Sequence, residues 1–179
     1  MPARNNKAVS KARVEPLHHA SHTAALDKRA PLALNFTPGA KSVRAMAENY
    51  SKTTRGVRIS VRSFYLEDQS QPDESHFVWA YRVKIENQGR EPVQLMRRTW
   101  QITDARGRTQ HVHGAGVVGE QPLLEPGESF EYTSGTPLDT PSGFMVGAYH
   151  MVVPSSGENF DAAIPAFSLD SPHQSGRVH

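Results

Sequence analysis

The stretch that decides the fold is Phe77-Val78-Trp79-Ala80-Tyr81-Arg82-Val83-Lys84-Ile85-Glu86-Asn87-Gln88-Gly89. Phe77, Trp79, Tyr81, Val83 and Ile85 recur at every second position. Arg82, Lys84 and Glu86 occupy the opposite phase. In a β-strand successive side chains point to opposite faces, so this period of two predicts a long strand with one greasy and one wet side. Asn87-Gln88-Gly89 supplies the turn chemistry that closes it.

The same texture extends outward in both directions. Upstream, Val57, Ile59 and Val61 alternate with Arg58, Ser60 and Arg62. Downstream, Val93 and Leu95 open another strand, whereas Trp100 and Ile102 fall in the other phase, so a bulge or twist is expected between them. Asp104-Ala105-Arg106-Gly107 and Pro126-Gly127 read as turns. Phe130 and Tyr132 flank Glu131, and Met145, Gly147, Tyr149, Met151 and Val153 form a late strand. Phe160, Ile164, Phe167 and Leu169 form a last extended segment, punctuated by Pro165. No helical apolar stripe of useful length follows residue 50. Short strands at regular spacing with Gly and Pro turns predict an all-β antiparallel sandwich. Trp79, Tyr81 and Trp100 are assigned to its core.

Residues 1–50 differ. They show no sustained period and carry eight basic against three acidic residues, a net +5, within a chain of net +2. Residues 51–179 then hold twelve basic and fifteen acidic residues, a net −3. Three regions are therefore expected: a basic, disordered extension over 1–50, a sandwich over 51–172 and a disordered tail over 173–179. A mildly acidic folded part is not expected to bind nucleic acid, which selects clustered Lys and Arg. No apolar run reaches the roughly 20 residues of a spanning helix, so no membrane partner is expected. The 179-residue chain has no cysteine, which excludes disulfides, thiolate-bound metal and thiol catalysis. That composition suits a reducing compartment, and the cytoplasm is the expected location.

Five ordered segments resemble a known family. They are residues 77–87; Leu95-Met96-Arg97-Arg98-Thr99-Trp100-Gln101-Ile102-Thr103-Asp104; His113-Gly114-Ala115-Gly116-Val117-Val118-Gly119-Glu120-Gln121-Pro122; Tyr132-Thr133-Ser134-Gly135; and Thr140-Pro141-Ser142-Gly143-Phe144-Met145. Together, from about Tyr50 to Pro172, they resemble the ApaG family. The resemblance implies an immunoglobulin-like, fibronectin type III-like β-sandwich and a protein-interaction role, with a tie to divalent-cation tolerance in some bacterial members; no cofactor is expected. Members of that family commonly begin near the position of Met46, which makes that residue a second candidate for the start of the chain.

Gly114-Ala115-Gly116-Val117-Val118-Gly119 spells G-x-G-x-x-G. A dinucleotide site would need a helix after it, whose N-terminus meets the pyrophosphate. Glu120-Gln121-Pro122 follows instead, too short and Pro-interrupted for a helix, and Glu120 would repel a phosphate. What remains is a backbone nest for a small anion over Gly114, Gly116, Val117, Val118, Gly119, Glu120 and Gln121, set against a plain bulged loop.

His111 and His113 share one strand face and form half of a chelating set; Glu120 or His150 would have to complete it. Glu67, Asp68, Asp73 and Glu74 sit in a Gln- and Ser-rich loop, the wrong setting for a carboxyl of raised pKa. With Arg97 and Arg98 they form a candidate partner surface. Ser134 lies in no nucleophile elbow. No catalytic residue is assigned. The expectation is a non-enzymatic module that binds a protein partner of unknown identity, a homodimer through strand addition included. Anion binding and a divalent-cation role are the alternatives.

Overall fold

The computed structural model describes residues 32–33, 43–44 and 49–174. Eleven strands run in chain order: β1 (Leu32–Ala33), β2 (Val43–Arg44), β3 (Tyr50–Thr54), β4 (Val57–Leu66), β5 (Phe77–Asn87), β6 (Val93–Asp104), β7 (Thr109–Ala115), β8 (Leu123–Leu124), β9 (Ser129–Leu138), β10 (Ser142–Val153) and β11 (Glu158–Asp170). Among the described residues the helical content is two three-residue 3₁₀ turns in the β4–β5 connection. All pairings between strands are antiparallel. No helix there is long and apolar enough to cross a membrane.

The strands form two sheets. The first runs β1-β9-β5-β4-β2, with β3 also on β4; the second runs β11-β10-β6-β7, with β8 also on β6. The alternation read from the sequence sets what lies between them. Val57, Ile59 and Val61 from β4, the odd residues of β5, and Trp100, Ile102, Tyr149 and Phe167 from the second sheet are all buried. Tyr81, Trp100 and Phe167 meet with ring centroids 5.4 to 5.9 Å apart. Complete burial of one such side chain is worth about 1.5–3 kcal/mol, so these aromatic anchors fix how the sheets stack.

The phase change within β6 is a bulge. Arg97 stands opposite His150 and Leu95 opposite Met151, which leaves Met96 as the extra residue. Leu95 and Trp100 can then both face inward although five positions apart. A second irregularity, between β10 and β11, falls where Pro165 cannot donate to the ladder.

One side of the sandwich is clasped. Arg55 leaves the β3–β4 turn to meet Glu158 at 2.7 Å and lies 4.8 Å over the Phe160 ring. The Tyr50 hydroxyl meets Ser168 at 3.0 Å, and the Ala163 amide donates to Thr54 Oγ1 at 3.3 Å.

Within the stretch expected to be a disordered extension, β1 pairs with Gly135 and Ser134 of β9, and β2 with Leu66 and Tyr65 of β4. Tyr50, at the end of that stretch, opens β3; apart from Asn49, the remaining residues of the stretch lie outside the described ones, as do residues 175–179 of the expected tail. At the other end, His173 packs its ring 6.0 Å from Tyr65 and 6.2 Å from Phe77. The contacts of the sandwich therefore run past the boundary expected at residue 172.

Candidate functional site

The glycine-rich segment leaves the end of β7. Val117 and Glu120 exchange backbone hydrogen bonds at 2.8 and 2.9 Å, closing a two-residue turn over Val118 and Gly119. Both turn residues have positive φ, +43° and +83°. This is the geometry of a tight hairpin, which matches the twist of the flanking chain. Gly116 is also left-handed, and a Cβ there would sit 2.0 Å from the Glu120 carbonyl oxygen. No helix follows. The Gly116 amide donates to the Met96 carbonyl at 2.9 Å. Three amides of the proposed nest, those of Gly116, Val117 and Glu120, are thus committed to carbonyls. Gln121 continues the attachment, donating to Met96 at 2.9 Å while its own carbonyl accepts from Gln94.

Gly114 serves a different purpose. It pairs with Arg98 on β6, and a Cβ built on it would lie 3.0 Å from the guanidinium carbon. The empty position lets the guanidinium pass across β7 and donate to the carbonyls of Ala115 (3.1 Å) and Gly116 (2.6 Å). With the bulge already passed at Met96, Arg98 stands two residues from Trp100 in regular strand and shares its inward phase. It does not lie beside Arg97 on an outer face. Sequence alone read the two arginines as one surface; Arg97 is exposed, and Arg98 reaches under the hairpin.

The inner side near Arg98 holds a tyrosine cluster of which the sequence reading placed Tyr81 in the core and Tyr132 and Tyr149 on strands, without their polar role. Tyr132 and Tyr149 join hydroxyl to hydroxyl, and Tyr81 bonds to Ser134, its cross-strand neighbour. Burial pushes all three phenols up, Tyr81 to about 12. They stay protonated and serve as core hydrogen-bonding groups.

The acidic residues Glu67, Asp68, Asp73 and Glu74 are all exposed, in the 3₁₀ turns between β4 and β5 of the first sheet. Among the described residues no ion pair joins them to Arg97 or Arg98. The candidate partner surface is therefore not held together by charge pairing.

His111 and His113 do point to one face, the outer face of the second sheet, and both are exposed. With Thr99 and Gln101 of β6 and Val146 of β10 they line a shallow depression of about 360 Å³. Across the register, His113 faces Thr99 and His111 faces Gln101. His150 is engaged elsewhere on the same face, with Asp161 at 2.6 Å. Among the described residues no three His, Asp or Glu side chains converge as a metal set requires.

Among the described residues no strand pairs with the outer edge beside those histidines. β7 ends the second sheet. The bonds flanking its ladder, Gly116 N to Met96 O and Asp104 N to Arg108 O, fix its phase. Residues 108, 110, 112, 114 and 116 turn their main-chain groups toward β6. Thr109, His111, His113 and Ala115 turn theirs away from it. Arg98 already caps the Ala115 carbonyl.

Comparison with known proteins places this arrangement in a family. The signature described as the ApaG domain matches residues 67–153. Protein ApaG of Rhodospirillum centenum is 66% identical over 128 residues, covering 72% of this chain and 98% of that protein. Protein ApaG of Maricaulis maris is 61% identical over 123 residues, covering 69% of this chain and 94% of that protein. The crystal structure of the putative ApaA protein from Bordetella pertussis aligns with a TM-score of 0.63 at 48% identity, covering 66% of this chain and 95% of that one. With the five sequence segments, the antiparallel sandwich and these near full-length relatives in agreement, the chain belongs to the ApaG family.

Proposed function

We propose that the chain is a non-catalytic interaction module whose β7 edge accepts an added strand from a protein partner. The observation that carries this reading is the outward set of main-chain groups at His111 and His113 on the terminal strand of a sheet. An open edge presents donors and acceptors at the spacing of an incoming strand, and affinity comes from that ladder. The outer-face side chains beside it, His111, His113, Gln101 and Thr99, supply polar selectivity next to a shallow hollow.

The distribution of titratable groups favours binding over catalysis. The carboxyls held below their ordinary range, Glu158 and Asp104, are engaged by Arg55 and Arg108 in structural ion pairs. The phenols of Tyr132 and Tyr149 bond to each other and that of Tyr81 to Ser134. Anion binding by the glycine segment draws little support, because three of its amides are already committed. A divalent-cation role would need ligands beyond His111 and His113.

The test uses proline as a probe of the edge. His111→Pro or His113→Pro removes an outward donor and leaves the β6–β7 ladder in place. Affinity capture with the full chain should recover partners that either variant loses, at unchanged melting temperature. Identical partners recovered by both variants and the parent would rule the edge out.

A further inference from the structure

We infer that β7 pairs antiparallel with β7 of a second copy of this chain, about a two-fold axis through Val112. This rests on the edge reading above and names the partner.

The phase of the β6–β7 ladder makes the edge self-complementary. Residues equidistant from Val112 have the same orientation. His111 therefore meets the partner's His113, and His113 meets the partner's His111. Both members of each pair carry outward main-chain groups, so each pair exchanges two hydrogen bonds, giving four at the centre. On the axis, Val112 meets the partner's Val112 as a non-hydrogen-bonded pair, the closer kind, in which side chains touch best. Val112 packs against the core on the inner side, so that contact prolongs the apolar layer of each sandwich. The outer pairs, Thr109 with the partner's Ala115, add less, because Arg98 already holds the Ala115 carbonyl.

The chemistry of the strand agrees. Thr109-Gln110-His111-Val112-His113-Gly114-Ala115 contains no Lys, Pro, Asp or Glu, the residues that guard natural edges against another chain. No bulge interrupts its pairing with β6. Residues 51–179 carry net −3, so a seam without carboxylates is where two copies meet at least electrostatic cost. Among the described residues the other outer strands are engaged in part: β1 pairs with Ser134 and Gly135 of β9, β2 and β3 pair with β4, and β11, which also ends the second sheet, is tied to β3 through Tyr50 and Thr54. Seven residues make a short seam, so the dimer forms with rising concentration and is not obligate. The pairing is isologous and closes on itself at two copies.

Sedimentation equilibrium of the full chain, from about 5 to 500 µM, is the test, a range suited to a small interface. The mass should climb toward twice 19.8 kDa. His111→Pro and His113→Pro should raise the dissociation constant at least tenfold, with the β-sheet circular dichroism spectrum unchanged. Charge exchange tests the register without proline. H111K/H113K and H111E/H113E should each stay monomeric, and their equimolar mixture should dimerise. A parent chain monomeric throughout, or a dimer indifferent to these substitutions, overturns the inference. If the parent is monomeric yet the proline variants lose a captured partner, the second copy is wrong and the open edge stands. If the variants change neither, both readings fall.

Discussion

The guanidinium of Arg98 occupies the space that a side chain on Gly114 would fill, and from there it bonds the carbonyls of Ala115 and Gly116. One missing methyl thus lets the sheet interior hold down the hairpin that ends β7. The positive charge reaches two main-chain acceptors that would otherwise lie at the strand end. Hydrogen bonds from a charged donor are worth about 1.5–3 kcal/mol, less where solvent reaches them.

Gly114→Ala and Arg98→Ala should therefore each destabilise the fold by about 1–2 kcal/mol, because both remove the same two bonds. Their effects should not add. In a double-mutant cycle read by urea unfolding, Gly114→Ala in the Arg98→Ala background should cost well under half its single-variant value. Additive losses would mean that Gly114 matters for some reason other than Arg98.

The hairpin gives a contrasting pair. Val118 is a β-branched residue at φ +43°, a region where such side chains are strained. Val118→Asn should raise stability by about 0.5–1 kcal/mol, since Asn-Gly is the favoured pair for this turn. Gly116→Ala should do the reverse and cost more than Gly114→Ala, because its Cβ meets fixed backbone and not a flexible side-chain tip. Thermal melts of the three variants check the ranking.

Strand positions, the alternating core and the phase change before Trp100 were legible in the sequence because burial imposes a period of two. The direction of Arg98 was not. The bulge could fall anywhere between Leu95 and Trp100, so parity did not say which of Arg97 and Arg98 turns inward, and the two read as one surface pair. The glycine segment was legible as lacking a helix, and its turn follows from local rules. The purpose of Gly114 depends on a side chain sixteen positions earlier and needed the register between strands. The paired face of His111 and His113 was readable from parity; that β7 ends its sheet is a long-range fact that no local pattern encodes.

Tyr132 and Tyr149 share a buried hydrogen bond. Tyr132→Phe or Tyr149→Phe alone strands the other hydroxyl and should cost about 1–2 kcal/mol. The double variant should be no worse than either single one, because no polar group is then left unpaired. Equilibrium unfolding of all three decides it.

Asp104 predicts an acid limb. Burial works to raise its pKa, but the Arg108 amide and guanidinium and the Arg106 amide outweigh it and hold the carboxyl below its ordinary 3.8. A carboxyl of depressed folded pKa contributes stability above its unfolded value and loses it as pH falls through the folded one. The urea midpoint should therefore fall below about pH 4 in the parent. Asp104→Asn should be less stable at pH 7, with the gap to the parent closing below that point.

Amide hydrogen exchange along β7, followed residue by residue in dilute solution, puts the open edge most directly to the test. In the monomer the amides of His111 and His113 should exchange orders of magnitude faster than those of Gln110 and Val112, giving an odd–even alternation along a single strand. Uniform protection of all four at the lowest concentration would contradict it.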